Sequence, residues 1–246
     1  MSIDTVSEPP VYTSPAADRK APAVLQLVPN FDAGGASRLA LEIAGAVTAA
    51  GGRAYLGYET ALVSTHEMPR YGVKPLEMKL ASRNPVTTFN VTRRVARAVT
   101  ENNIEIIHAQ SASLAVIGQG AAKKSGARLV TTFHDGPSSV QALSKKSLAA
   151  FAESDLVITL SHATAEEIAR AIPSLGNRLS VVPYGIDLSR FDPAQVTAPR
   201  VVQHANQWRV PDDLPVIMAP AAFQRGKGQS LLLEALALIR DLDLRC

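Results

Sequence analysis

Apolar residues fall along the chain in two alternating rhythms. Short runs rich in Val, Ile, Leu and aromatic residues lie at 24–28, 53–58, 74–79, 104–108, 128–133, 156–160 and 179–182, and compact runs of this kind predict buried strands. Between them the spacing changes. Leu39, Ile43 and Val47 recur every four residues, as do Val91, Val95 and Val99, which is the repeat of one helix face. Ser161 precedes a further helical stretch carrying Glu166 and Glu167 in its first turns, the order expected at a helix start. Strand and helix repeated in this way predict an α/β fold, a Rossmann-like parallel sheet with helices on both faces. Ligands of such sheets bind beyond the carboxyl ends of the strands, so the loops that follow strands are where chemistry is expected.

The same pattern divides the chain. Residues 1–22 hold Pro9, Pro10, Pro15 and Pro22 among Ser, Thr and Asp, with no apolar repeat, and predict a disordered tail. The strand and helix alternation occupies 23–190. It then breaks into PYGIDLSRFDPAQVTAP, which predicts a linker, placed at 191–211 with a short helix at 201–208. Residues 215–219 are strand-like, and GQSLLLEALALIRDL is helical and apolar nearly all round. Such a helix belongs inside a domain. One strand and one helix enclose no core, so residues 212–246 are expected to be the truncated start of a second Rossmann-like domain. The apolar helix is expected to drive self-association.

Composition narrows the class. The chain is 46% hydrophobic and 19% charged, a globular rather than a disordered balance. Lys+Arg 25 against Asp+Glu 22 gives a net charge of +3, too small an excess for a nucleic-acid partner. Basic residues gather locally at Arg93, Arg94 and Arg97, at Lys123 and Lys124, and at Lys145 and Lys146. Solvated helix faces explain them; were they to share one face, they would rest on an anionic membrane surface. The single cysteine, Cys246, allows no internal disulfide and no cysteine metal site, which suits a reducing cytoplasm. No apolar stretch approaches ~18 residues and no signal-like segment opens the chain, so a cytoplasmic protein is expected, with contact at the inner membrane surface left open.

Candidate chemistry sits in the predicted loops. Gly34 and Gly35 follow the first strand and precede the first helix, so bare amides at a helix start would meet a phosphate or a sugar hydroxyl, or simply make a tight turn. Gly-Gly lacks the third glycine of the dinucleotide fingerprint, and Glu59, near the end of the second strand, does not by itself restore a nicotinamide site. His108 ends IEIIHA and His134 ends LVTTFH; two histidines at equivalent strand ends point to function, with packing as the alternative. Asp135 would orient His134 or cap the loop. PYGIDLSRF, residues 183–191, is a plain turn with Gly185 at positive φ, or a hinge facing a cleft. AAFQRGKGQ, residues 221–229, fails the P-loop pattern at both its first glycine and its final hydroxyl, yet Arg225 and Lys227 would suit a diphosphate. His66, His162 and His204 are scattered, and neither HExxH nor GxSxG occurs.

Taken in order, VLQLVPNFDAGGASR, LASRNPVTTFNVTRRVARAV, IEIIHAQS, LVTTFHDG, SDLVITLSHATAEEI, LSVVPYGIDLSRFDP and RGKGQSLLLEALALI resemble the N-terminal half of the retaining family 4 glycosyltransferases of the GT-B fold. The resemblance covers about 23–246 and is nearest a bacterial branch serving lipopolysaccharide and cell-surface glycan assembly. It implies an acceptor-binding N-terminal domain, a nucleotide-sugar held mainly on the C-terminal domain, and hexosyl transfer to a glycan or lipid-linked acceptor in the cleft between. It implies that His134 contacts the transferred sugar as the catalytic residue. Gly34, Gly35, His108, Asp135, Gly185, Asp187, Arg225 and Lys227 form the implied substrate and donor set. No metal and no cofactor beyond the donor substrate is implied.

Three departures stand against it. Ala221-Ala222 replaces the family's Gly-Arg, Ser37 stands where many relatives are acidic, and the Glu-x7-Glu segment is absent from this sequence. The expected protein is therefore a glycosyltransferase chain inactive alone, with a non-catalytic glycan- or protein-binding module as the alternative and a nicotinamide oxidoreductase disfavoured.

Overall fold

The computed structural model describes residues 21–62, 65–80, 84–186, 188, 191–209, 216–221, 223 and 227–239. The chain divides into two compact units, Met1–Tyr184 and Gly185–Cys246. The expected tail lies outside the described residues except for its last two positions.

The first unit is built on a seven-stranded parallel sheet in the order β3-β2-β1-β4-β5-β6-β7. Its strands are β1 (Ala23–Leu27), β2 (Arg53–Tyr58), β3 (Lys74–Glu77), β4 (Ile106–Ala109), β5 (Arg128–Phe133), β6 (Leu156–Thr159) and β7 (Leu179–Val181). All seven lie within the expected runs except at the margins of β1 and β4. The connecting helices are α1 (Gly35–Ala49), α2 (Glu67–Arg70), α3 (Pro85–Glu101), α4 (Ala112–Ser125), α5 (Lys145–Ala152) and α6 (His162–Ala171). Parallel strands need such crossovers, because each strand must return to the same end of the sheet before the next begins.

Side-chain alternation then divides the apolar residues between two cores. Leu25, Leu27, Tyr55, Ile107, Leu129 and Phe133 enter one cluster with residues of α3, α4, α5 and α6. Val28, Ala54, Leu56 and Tyr58 enter the other with Ala40, Leu41 and Ala44 of α1 and Met68 of α2. Each fully buried Leu or Phe contributes roughly 1.5–3 kcal/mol by leaving water.

Local signals set the helix starts. Asn84 accepts from the Thr87 amide at 2.8 Å while its own amide donates to Thr87 Oγ1 at 3.2 Å, a reciprocal cap for α3. Ser111, Ser144 and Ser161 cap α4, α5 and α6 in the simpler way. On the outer surface α3 and α4 bring two of the basic spots together, with Arg93 Cζ 5.9 Å and Lys124 Nζ 5.5 Å from the half-exposed ring of Phe89.

In the second unit the expected short helix is α7 (Ala198–Trp208), and the final helix is α8 (Gln229–Ile239). The strand expected at 215–219 is not formed at 216–219, which are irregular and exposed. A strand exists by pairing, and among the described residues every member of the sheet precedes Val182.

Candidate active site at the sheet's carboxyl edge

The chain leaves β1 toward β2 and β3, then returns to place β4 on the other side of β1. Loops after β1 and β4 therefore diverge and leave a crevice between them. A recess of ≈ 250 Å³ occupies this position, walled by Asn30 and Asp32 after β1, Ser37 of α1, Gln110 after β4, and His134 and Asp135 after β5. A larger recess of ≈ 550 Å³ shares Pro29 and Asn30 with it.

The glycine turn is tied down from inside. Ser37 is 2% exposed; its hydroxyl lies 2.8 Å from Asp32 Oδ1 and 3.0 Å from the Asn30 carbonyl, and it accepts from the Asp32 amide at 3.2 Å. Asp32 Oδ1 also accepts from the Gly34 amide at 2.8 Å. One of the two amides expected to meet a phosphate, that of Gly34, is thus already taken by a carboxylate. Neither glycine has a left-handed backbone, and each stands close to a neighbouring side chain. A Cβ at Gly34 would stand 2.8 Å from Asp32 Oδ1, and one at Gly35 would stand 3.2 Å from the Tyr184 hydroxyl.

His134 is half-buried and doubly bonded. Its Nε2 meets Gln110 Oε1 at 2.7 Å and its Nδ1 meets the Tyr184 hydroxyl at 2.7 Å. Burial holds its pKa below the usual histidine value, with the Asp135 charge opposing. Burial and Asp135 both push the Tyr184 phenol up. At neutral pH the pair is therefore an uncharged imidazole and an intact phenol. Asp135 is exposed and acts on both through space; the orienting group for His134 is Gln110, not Asp135.

His108 does not reach the crevice. It is 5% exposed, its Nε2 meets Thr132 Oγ1 at 2.8 Å, and burial together with nearby His134 lowers its pKa to about 3. It lies directly across from Gln26 in the ladder. Gln26, His108, Gln110, Thr132 and His134 alternate onto one face of the sheet and form a polar row beneath the crevice, in which Gln110 Nε2 donates to Gln26 Oε1 at 2.8 Å.

Gly185 begins the second unit and is not among the glycines with positive φ, so the turn reading of that stretch fails on its conformational ground. Lys227 is exposed just before α8, in the second unit. Asp187 and Arg225 lie outside the described residues. Sequence reasoning missed Gln26, Gln110, Thr132 and Tyr184. A glutamine inside the apolar run VLQLV, and another two residues beyond His108, were the available signals, since same-face polar residues in buried strands must find one another. Among the described residues no group of three or more His, Cys, Asp or Glu side chains is placed to hold a metal. Nor is any helix there long and apolar enough to cross a membrane.

The family model described as Glycosyltransferase Family 4 matches residues 33–190, well over half of the chain. This chain belongs to glycosyltransferase family 4. The matched span holds the glycine turn, His108, His134, Asp135 and Tyr184.

Its fold is similar to that of a glycosyltransferase from Rickettsia africae, at 22% identity and a TM-score of 0.71 over 93% of this chain and 59% of that one. Anabaena HepE in complex with UDP and glucose is similar at 18% identity and a TM-score of 0.69, over 87% of this chain and 57% of that one. Sucrose-phosphate synthase from Thermosynechococcus elongatus follows at 17% and 0.63, over 89% and 60%. These likenesses establish the Rossmann-like fold of GT-B glycosyltransferases. The chain spans under two thirds of the length of each of these structures. No curated protein matches it significantly.

Proposed function

We propose that residues 23–190 are the acceptor-binding lobe of a glycosyltransferase that moves a hexosyl group from a nucleotide-sugar to a glycan or lipid-linked acceptor. On this reading 191–211 link to a nucleotide-binding lobe that starts at 212–246. The observation that carries it is the pair of recesses joined at Pro29 and Asn30 on the switch point of the sheet. One presents the uncharged ring of His134; the larger offers Asn84, Ser113, Ser144 and Ser147 over an apolar floor. Glu59 and Lys146 also line the larger recess, and Asp32 and Asp135 the smaller; hydrogen-bonding groups above apolar surface suit a sugar, which has hydroxyls at its rim and C–H groups on its faces. HepE, solved with UDP and glucose, supports a nucleotide-sugar as donor.

The chemistry follows the family resemblance. The anomeric carbon breaks its bond to the diphosphate and bonds to the acceptor oxygen with retention, while the acceptor's proton leaves with the diphosphate. Arg225 and Lys227 would neutralise that leaving group. His134 would contact the transferred sugar, with Gly34, Gly35, Asp135, Gly185 and Asp187 around the donor and His108 acting from beneath. Phe89 between Arg93 and Lys124 supports contact with the cytoplasmic face of the inner membrane, where a precursor of a surface glycan or lipopolysaccharide would be met. Ala221 in place of the family's glycine favours the second reading, a non-catalytic glycan- or protein-binding module.

UDP-glucose titrated into the 15N-labelled chain is expected to shift amides of residues 30–37 and 134–136, and His134→Ala to weaken binding about tenfold, the upper end for one hydrogen bond. A panel of nucleotide-sugars and glycans that moves none of these amides sinks the reading of residues 23–190 as a sugar-binding lobe.

Self-association through α8 is a separate expectation. Leu231, Leu233 and Leu238 are 69%, 68% and 81% exposed, an apolar surface that invites a partner. Sedimentation should reveal association that rises with concentration and is reduced by Leu231→Glu with Leu238→Glu. A monomer across the range removes this idea.

A further inference from the structure

The larger recess has more than twice the volume of its neighbour, ≈ 550 Å³ against ≈ 250 Å³, and a neutral sugar uses only part of its lining. Leu80 after β3 and Leu114, Val116 and Ile117 of α4 give it an apolar floor, while Glu59 after β2 and Lys146 of α5 bring opposite charges to its walls. The strands that precede the two charged residues, β2 and β5, stand three places apart in the sheet, roughly 14 Å at the usual strand spacing. Carboxylate and ammonium therefore enter the recess from opposite sides.

Lys146 is set apart from the other basic residues by its surroundings. Lys123 is paired with Glu153, and Arg97 with Glu101. Lys145, its neighbour in sequence, does not line the recess. Among the described residues Lys146 itself has no ion-pair partner. An ammonium without an internal anion, at the wall of a recess, is a seat for an anionic ligand group, and the hydroxyls of Ser144 and Ser147 beside it at the start of α5 suit the several oxygens of a phosphate. The floor asks for hydrocarbon. The start of α3, which brings Asn84 and Thr88 to the recess, also leaves Val86 and Phe89 exposed, so a chain longer than the recess has apolar surface to continue along.

We propose that this recess binds an apolar chain ending in a phosphate, with the phosphate at Lys146 and the chain on Leu114, Val116 and Ile117. That this ligand is the anchor of the acceptor rests on the glycosyltransferase reading; the demand for hydrocarbon and anion together does not. On that reading the recess selects a lipid-linked acceptor over a free glycan.

The test titrates four probes into the 15N-labelled full chain and follows the amides of residues 113–117 and 144–147. Geranyl phosphate carries both features; geraniol lacks the anion, glycerol phosphate lacks the chain, and geranate replaces the phosphate with a carboxylate. Geranyl phosphate is expected to bind about tenfold tighter than glycerol phosphate, the equivalent of burying two methylene groups. It should bind about three- to tenfold tighter than geraniol, the equivalent of one charged hydrogen bond at an exposed ammonium. Lys146→Gln should remove the advantage over geraniol and leave geraniol itself unchanged, and Lys145→Gln should alter neither.

Five outcomes overturn the proposal: glycerol phosphate or geraniol binding as tightly as geranyl phosphate, a preference for geranate, a Lys146→Gln chain that keeps the advantage over geraniol, equal losses in Lys146→Gln and Lys145→Gln, or shifts confined to the exposed leucines of α8. None of these measurements requires a nucleotide donor. If nucleotide-sugars and glycans move none of the crevice amides while the order of the four probes holds, the sugar-binding reading of the lobe falls and the amphiphile site remains.

Discussion

Phe133→Ala is expected to destabilise the first unit by about 3–5 kcal/mol, the usual cost of emptying an aromatic core site. Phe133 is 2% exposed and Phe151 fully buried, and their rings meet edge-on at 83° with centroids 6.1 Å apart. Removing one ring forfeits its transfer free energy, its contact with the other ring, and the close packing of β5 against α5. Domains are stable by only about 5–15 kcal/mol, so the variant should melt well below the parent in circular dichroism, whereas Phe133→Leu should lose less than half as much. Because Phe133 directly precedes His134, the alanine variant should also blur the His134 ring signals. The double variant Phe133→Ala with Phe151→Ala should cost less than the two single losses added, since both remove the same contact. A Phe133→Ala chain that melts with the parent would show that this ring is not part of a close-packed core.

The second large effect is expected in acid and belongs to His108. Burial and the neighbouring His134 lower its pKa to about 3, while an unfolded histidine titrates near 6.5. The folded ring therefore stays neutral over a range in which the unfolded ring takes up a proton, and falling pH favours the unfolded chain. Stability should begin to decline below about pH 6.5 and fall by about 1.4 kcal/mol per pH unit from this one group. By pH 4.5 the loss from His108 should reach roughly 2–3 kcal/mol, with His134 adding in the same direction because its pKa is also lowered. Urea unfolding at pH 7, 5.5 and 4.5 measures this decline. His108→Gln keeps a polar partner for Thr132 and removes the titrating ring, so its decline should be shallower. Equal slopes for variant and parent would place His108 in contact with water.

The parallel sheet was legible because buried strands are almost uniformly apolar and short, and the intervening helices repeat their apolar residues every third or fourth position. Margins shifted where hydrogen bonding outruns hydrophobicity. Residues 104–105 read as strand from Ile104, yet β4 begins at Ile106, although Glu105 is still joined to both neighbouring strands through backbone bonds. The strand expected at 215–219 is not formed at 216–219 for the opposite reason, since an apolar run records a tendency to be buried and says nothing about a partner. His134 was legible as a site residue from its place at a strand end. His108 looked equivalent in sequence, but it lies within β4 while His134 lies just beyond β5, and that one step of chain separates a buried ring from one at the crevice. Tyr184 could be read only as part of a hinge, because its partner is 50 residues away and no local pattern encodes that distance.

Gln26 sets a limit on how sturdy this lobe can become. It is fully buried in the central strand, and among the described residues its Nε2 finds no partner, an arrangement that costs on the order of 1–3 kcal/mol. Selection for stability alone would favour leucine there, and the tightened lobe would then leave Gln110 Nε2 without that partner. Lineages that keep the amide would be trading robustness for an ordered polar row beneath the crevice, so thermostable relatives are where its loss would first be seen.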